Sequence, residues 1–243
     1  MSEEEGHIAR LVAKKEEAKG IATFSFLPEE KIDFKAGQFA FLEFEFEGKP
    51  YQKHFTISSS PERKRIEFST IITDSEFKQA LNKLPMEHQV KISNPTGDFT
   101  LDSRKSEKIA FLAGGIGITP VRSIMEFFED KGRIKGLETV IFHSNRKPEK
   151  IAFRQELEEI AAKTGNIQIV HTLTDLAEHE KSKWQGETGF IDRQMIKRYL
   201  VNEQDYFFYV SGPPTFNEAM RKILLQELGI REEMVLIETF TGY

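Results

Sequence analysis

The hydrophobic pattern changes period once, near residues 102–108, and that change constrains the fold more than any motif does. Before it, "HIARLVAKKEE", "GIATFSFLP", "GQFAFLEFEFEG" and "KRIEFSTIIT" are rich in Phe, Ile, Thr and Val, with Gly, Pro or charged turns between them. Polar and apolar residues alternate, as in Phe44-Glu45-Phe46, the period of a half-buried strand. Only "DSEFKQALNKL" reads as a helix, with Phe77, Ala80, Leu81 and Leu84 on one face. Many short antiparallel strands predict a small closed barrel. After "LDSRKSEK" the runs "KIAFLAG", "LETVIFHS", "IQIVHTLT" and "YFFYVSG" are apolar throughout, and helix-period segments separate most of them. That alternation predicts a parallel sheet covered by helices on both faces. The expected fold is an N-terminal antiparallel β-barrel over 1–103 and a C-terminal α/β parallel-sheet domain over 104–243.

Composition excludes several classes. A net charge of −5 offers no basic footprint for nucleic acid. No apolar run approaches the ~20 residues that span a bilayer. The acidic start "MSEEEGHIAR" lacks the pattern of a signal peptide, so a cytoplasmic location is expected. The chain has no cysteine, which excludes disulfides, thiolate catalysis and cysteine-ligated zinc or iron–sulfur sites within it. The six histidines show no H-E-x-x-H spacing, and no metal is expected.

"FLAGGIGITP" joins a buried strand to a helix. Gly114, Gly115 and Gly117 allow a sharp turn and a close approach to a ligand. Thr119 is placed to cap the helix and Pro120 to fill its first turn. A helix N-terminus favours phosphate. Gly115-x-Gly117 fits the start of a Rossmann fingerprint, but Pro120 stands where the third glycine belongs. "YVSGPPTFNEAM" repeats the arrangement: Ser211 ends a strand, and Gly212, Pro213 and Pro214 turn into a helix. "HTLTD" ends another strand with Thr172, Leu173 and Thr174. Ligands of open α/β sheets bind outside such carboxyl ends, and this polar crevice suits a nucleotide. The tail "ETFTGY" closes a short strand with Glu238, Phe240 and Tyr243. Its rings either pack on the nearest core or cover a ligand.

Together these stretches resemble the ferredoxin–NADP reductase superfamily of FAD-dependent, nicotinamide-linked reductases. "AGQFAFLEF", "KHFTISSSP", "DSEFKQAL", "NPTGDFTL", "FLAGGIGITP", "HTLT", "GETGFID", "YVSGPP" and "ETF" occur in the family's order over nearly the whole chain. The resemblance implies an FAD barrel and an NAD(P)H domain, with hydride passing from nicotinamide to flavin N5 between them. "KHFT" stands at the family's flavin motif. There Lys53 replaces the usual arginine and faces the FAD pyrophosphate, His54 lies within the motif, Phe55 lies against the isoalloxazine and Thr56 bonds near N5. Ile71, Ile72 and Thr73 line the flavin. Asp74 or Ser75 caps the next helix, leaving the N–H groups of Ser75, Glu76 and Phe77 for pyrophosphate.

In the second domain the resemblance implies that Gly114, Gly115, Gly117 and Thr119 approach the dinucleotide, with Gly212 and Pro213 in the turn after Ser211. Thr172 to Thr174 flank the nicotinamide ribose, and Ser211 lies near the ring where many relatives have cysteine. Phe240 covers the flavin face that meets nicotinamide, Glu238 relays a proton or balances charge, and Tyr243 touches adenine or flavin or simply packs. The expected catalytic set is Thr56, Ser211, Glu238 and Phe240. The implied acceptor is an electron-transfer protein such as ferredoxin or flavodoxin. A reductase of free flavins or ferric chelates, and a nucleotide-binding regulatory subunit without turnover, remain as rivals. Arg146 and Lys147 favour NADPH and Asp175 favours NADH, so the preference stays open.

Overall fold

A computed structural model describes residues 6–132 and 136–240, apart from the side chains of His179 and Glu180. Tyr243, expected at a cofactor, lies outside the described residues. The N-terminal half holds β1 (Gly6–Ala18), β2 (Ile21–Pro28), β3 (Phe39–Phe46), β4 (Lys49–Thr56), β5 (Ile66–Ile71), helix α1 (Glu76–Lys83) and β6 (Gln89–Ser93). Its strands form one antiparallel sheet in the order β4-β3-β6-β1-β2-β5. The two ends of that order meet through an Ile57–Phe68 bridge, and the Ser58 N–H donates to the Glu67 carbonyl (2.8 Å). The sheet is thereby curled into the expected barrel. Leu11, Phe24, Phe26, Leu42, Phe68 and Ile92 fill it, and α1 adds Ala80 and Leu81.

The C-terminal half holds β7 (Lys108–Gly114), α2 (Thr119–Lys131), β8 (Glu138–Asn145), α3 (Arg154–Thr164), β9 (Ile167–Leu173), α4 (Glu178–Lys181), β10 (Glu187–Thr188), α5 (Arg193–Tyr199), β11 (Tyr206–Gly212), α6 (Pro214–Lys222) and β12 (Val235–Thr239). All its pairings are parallel, in the order β10-β9-β8-β7-β11-β12. Strands β7 and β11 lie at the centre, and Ile109 to Ala113 are wholly buried. This explains their unbroken apolar runs, since helices cover both faces. From β7 the chain winds outward through β8 and β9, then returns to place β11 on the other side of β7. That reversal is the topological switch point, and it puts the Gly114–Thr119 turn beside the Ser211–Pro214 turn.

The halves are joined by apolar and by charged contacts. Phe99 of the first half packs edge-on against Tyr209 of β11, ring centres 5.1 Å apart. The Tyr209 hydroxyl donates to the Thr100 carbonyl (2.7 Å). On α2, Arg122 donates to the Ser58 carbonyl (3.0 Å), Glu67 (2.8 Å), Glu126 (2.9 Å) and Glu156 (2.8 Å). Glu126 also accepts from the Ser60 N–H (2.9 Å), and the Ser123 hydroxyl donates to the Ser59 carbonyl (2.7 Å). The segment that follows β4 is thus held onto α2, which fixes the crevice between the halves.

Candidate functional site

A small crevice, open to solvent, lies where β4, β5 and α1 meet the glycine turn and Phe240. Lys53, His54, Phe55 and Thr56 line it from β4, Ser69 and Thr70 from β5, and Lys78 from α1. Ile116, Thr119 and Phe240 line it from the other half. Four predicted residues of "KHFT", Thr119 and Phe240 are therefore brought together from distant parts of the chain. Phe55 is also a core ring, 5.9 Å from Phe68 and 5.6 Å from Phe77. Exposed His54 packs at a steep angle between Phe39 and Phe41, both 5.6 Å away. The Ser69 hydroxyl shares hydrogen bonds with Thr23 (2.7 Å) and Ser58 (2.8 Å).

Ile71, Ile72 and Thr73 run from the end of β5 toward α1, beside this crevice rather than among the residues lining it. Ser75 occupies the N-cap position of α1 with no side-chain cap bond, so its hydroxyl leaves the first N–H groups of the helix free of capping. Glu76 turns to Lys49 (2.6 Å), and Phe77 packs against Phe44, Phe55 and Tyr51.

The glycine turn divides its labour. A Cβ on Gly117 would lie 2.2 Å from the Ser211 carbonyl oxygen, and one on Gly114 would lie 2.8 Å from the Phe216 ring. A Cβ on Gly212 would meet the same ring at 2.8 Å. These three glycines let protein pack on protein. Gly115, with φ of +55°, has open space at its Cβ position, and it is the one of the four left with room for a ligand. Its carbonyl accepts from His143 Nε2 (3.0 Å). Burial, and to a smaller degree His171, lowers the His143 pKa to about 3. The neutral ring must therefore carry its proton on Nε2 to make this bond. Thr119 does not cap α2 as expected. A 3-10 turn over Gly115–Ile118 runs directly into the helix, so Thr119 is already helical and its hydroxyl donates back to the Ile116 carbonyl (3.2 Å).

Ser211 is fully buried, and its hydroxyl donates to the Gly117 carbonyl (2.6 Å). It holds the glycine turn against β11. Thr172 is also buried and donates to the Gly189 carbonyl (2.7 Å). Leu173 accepts from the Gly189 N–H (2.8 Å), and Thr174 donates its N–H to the Asn145 carbonyl (2.9 Å). Pro213 is the N-cap residue of α6. Glu238 lies in register with Ser211. Burial pushes its pKa up to about 7, and its Oε2 is buried with no partner among the described residues. The Phe240 N–H donates to the Gly212 carbonyl (3.0 Å), which anchors the end of β12 at the crevice. Arg146 and Asp175 pair with each other at 3.5 Å.

Sequence reasoning missed Lys78, Ser69, Thr70 and Ile116. Lys78 is 2% exposed although lysine is expected on the wet face of a helix. Its signal was the position three residues before Leu81, which places the two on one face. Phe190, 78% exposed, follows Gly189 beside the ends of β9 and β10 and was also unforeseen.

The site fits a flavin dinucleotide. Two ammonium groups suit a diphosphate, hydroxyls surround them, and Phe55 and Phe240 bring rings from the two halves. A barrel of this kind beside a parallel-sheet domain with a glycine turn at its switch point defines a flavin- and nicotinamide-linked oxidoreductase module. One family model, described as an oxidoreductase FAD-binding domain, matches residues 8–101, and another, an oxidoreductase NAD-binding domain, matches 111–222. The chain is a ferredoxin–NADP reductase-like FAD- and NAD-binding oxidoreductase module. It is 28% identical over 226 residues to the glycine betaine monooxygenase reductase subunit of Chromohalobacter salexigens, covering 90% of this chain and 60% of that protein. It is 29% identical over 238 residues to the flavohemoprotein of Bacillus subtilis, covering 95% of this chain and 58% of that one. The chain thus spans about 60% of the length of these curated relatives. The FAD/NAD-binding domain of a nitric oxide dioxygenase from Vibrio cholerae shares the fold with a TM-score of 0.83 at 19% identity, covering 97% of this chain and 98% of that one. A Neisseria gonorrhoeae ferredoxin NADP+ reductase with bound FAD and NADP gives 0.81 at 19%, covering 96% and 97%. Among the described residues no helix is long and apolar enough to cross a membrane.

Proposed function

We propose that this chain is an NAD(P)H-dependent flavoprotein reductase that delivers electrons to an electron-transfer protein of the ferredoxin or flavodoxin class. The observation that supports it most is the single crevice where "KHFT", α1, the glycine turn and Phe240 converge. FAD bound there supplies the chemistry, accepting a hydride from NAD(P)H and releasing electrons one at a time. Lys53 and the first turn of α1 hold its diphosphate, Thr56 offers a hydroxyl to the ring system, and Phe240 shields the face that nicotinamide must reach. The open side of Gly115 admits the dinucleotide, with Thr172 to Thr174, Gly212 and Pro213 framing its path. Ser211 and Gly117 hold the turn in place, and Glu238 holds or moves a proton behind Phe240. The name of one relative, a monooxygenase reductase subunit, supports a protein acceptor. A division at 103/104 and a cytoplasmic location belong to the same reading, and the two family models fall on either side of that division.

The test is direct. Purified protein is expected to be yellow, to contain FAD and to oxidise NADH or NADPH. Turnover with ferredoxin or flavodoxin should exceed that with free flavin or a ferric chelate. Faster reduction of the small acceptors would replace the proposed acceptor with a free-flavin or ferric-chelate role. A colourless protein that takes up no FAD and oxidises no nicotinamide nucleotide would leave a regulatory subunit.

A further inference from the structure

Helix α6 turns one polar side chain into its core stripe. Asn217, Met220 and Leu224 follow one another at helical spacing, the last in a π turn over Ile223–Glu227 that continues the helix, and all three are buried. Residues so spaced share one helix face. Two of them are apolar and Asn217 is not. A buried amide is costly to take from water unless it is hydrogen-bonded, and leucine, of nearly the same shape, would fill that stripe at lower cost. Asn217 directs its Nδ2 to one place. It donates to the Glu238 carbonyl (2.8 Å) and to the Thr239 hydroxyl (3.0 Å). A carbonyl can only accept, so it fixes which end of the amide faces β12. The strand so held is at the edge of the sheet, with β11 beside it, and the residue after the held pair is Phe240, which lines the crevice.

We propose that Asn217 is a positioning residue for hydride transfer: it pins the end of β12 so that the Phe240 ring rests over the crevice, and it thereby sets how strongly that ring competes with nicotinamide. The inference rests on the covering role given to Phe240 above. Asn217 is not among the residues that line the crevice and acts only through the strand. An edge strand carries a row of backbone groups without ladder partners, and chain ends fray unless tied down. Here three consecutive residues are tied. Asn217 holds Glu238 and Thr239, and the Phe240 N–H donates to the Gly212 carbonyl (3.0 Å). The side chain of Phe240 is what remains to swing. The same turn of α6 also touches the glycine turn, since Phe216 packs where a Cβ on Gly114 or Gly212 would lie. The base of the Phe240 ring is thus fixed relative to the turn proposed to admit the dinucleotide. A ligand's apparent affinity falls with the fraction of molecules competent to bind it. A ring held in the covering position lowers that fraction, and a loosened one restores it.

The experiment titrates the FAD-bound parent, Asn217→Leu, Phe240→Ser, the double variant and Glu218→Gln with oxidised nicotinamide nucleotide, followed through the flavin spectrum. Glu218 is exposed on the same helix and serves as the control. Asn217→Leu should tighten the nucleotide about two- to fivefold, within the worth of the ring stack it loosens. Phe240→Ser should tighten it at least as much. Adding Asn217→Leu to Phe240→Ser should change nothing further, because both act through one ring. Glu218→Gln should match the parent. Unchanged or weaker binding in Asn217→Leu, with Phe240→Ser tighter than the parent, would overturn the proposal. So would an Asn217→Leu effect of equal size in both backgrounds, which would mean that the amide supports the sheet and not the ring. If Asn217→Leu does not fold, Thr239→Val removes one of the two acceptors. A smaller tightening there would support the proposal, and parent-like binding would overturn it. Unchanged affinity in Phe240→Ser would overturn the covering role and the proposal with it. A parent that binds no FAD would overturn the flavoprotein reading. Both results are distinct from a failure confined to Asn217.

Discussion

Two buried cations lie at similar depth in this molecule, and their pKa values move in opposite directions. Arg122 is 7% exposed and Lys78 is 2% exposed. Burial opposes the charge of Arg122, but Glu126, Glu156 and Glu67 outweigh it and raise its pKa. Three carboxylates and a backbone carbonyl accept from one guanidinium. For Lys78, burial and a like-charged neighbour act in the same direction and lower its pKa. A charge compensated by named carboxylates of its own chain holds two halves together.

The comparison is tested most severely at Arg122. Arg122→Gln should cost about 3–5 kcal/mol of stability, because it strands buried carboxylates. Chemical denaturation at saturating FAD would measure this, and a loss below ~1 kcal/mol would remove the clamp from its structural role. The glycine turn sharpens the same distinction. Gly117→Ala drives a Cβ to 2.2 Å from the Ser211 carbonyl and should cost about 1–3 kcal/mol. Gly115→Ala meets open space. It should cost about 1–2 kcal/mol from its left-handed backbone alone and should raise the KM for NAD(P)H severalfold. If Gly117→Ala retained full stability, the packing argument for the turn would fail.

Glu238 extends the contrast to an anion. Its folded pKa of about 7 stands above the ordinary 4.5. A carboxyl raised in this way costs nothing below about 4.5, where it is protonated in both states. Its penalty grows as the pH rises from about 4.5 to about 7 and is constant above that, where both states are ionised. Glu238→Gln should therefore match the parent at pH 4.5 and exceed it by about 1–2 kcal/mol at pH 8, allowing for partial exposure. Thermal unfolding at several pH values would show parallel curves instead if Glu238 were in fact ionised without cost. The smallest expected effect is at Phe240. If its ring competes with nicotinamide for the flavin face, Phe240→Ser should tighten oxidised nicotinamide nucleotide about two- to tenfold, the worth of one ring stack. Titration through the flavin spectrum measures this, and unchanged affinity would make Phe240 a packed end of β12.

The two-domain order, the barrel, the parallel sheet and the glycine turn at a strand's carboxyl end were legible in the sequence. The residues of "KHFT" and Phe240, singled out in the sequence, line one crevice. The change in hydrophobic period is local information, carried by neighbours three or four residues apart, and the chain itself determined it. Thr119 shows the limit of such reading. A threonine before a proline looks like a cap, but the 3-10 turn had already begun the helix.

What only the tertiary structure decided depends on pairs far apart in the chain. Ser211 meets Gly117 across 94 residues, and this makes Gly117 a packing glycine while Gly115 faces open space. Arg122 reaches Glu67 across 55 residues, so a helix arginine became the joint between the halves. Nothing in the sequence singled out Lys78, which the packing of α1 on the barrel places in one crevice with Lys53. Periodicity states which face of an element is apolar. It does not state which other element that face will meet, and the field felt by a buried charge is set by that meeting.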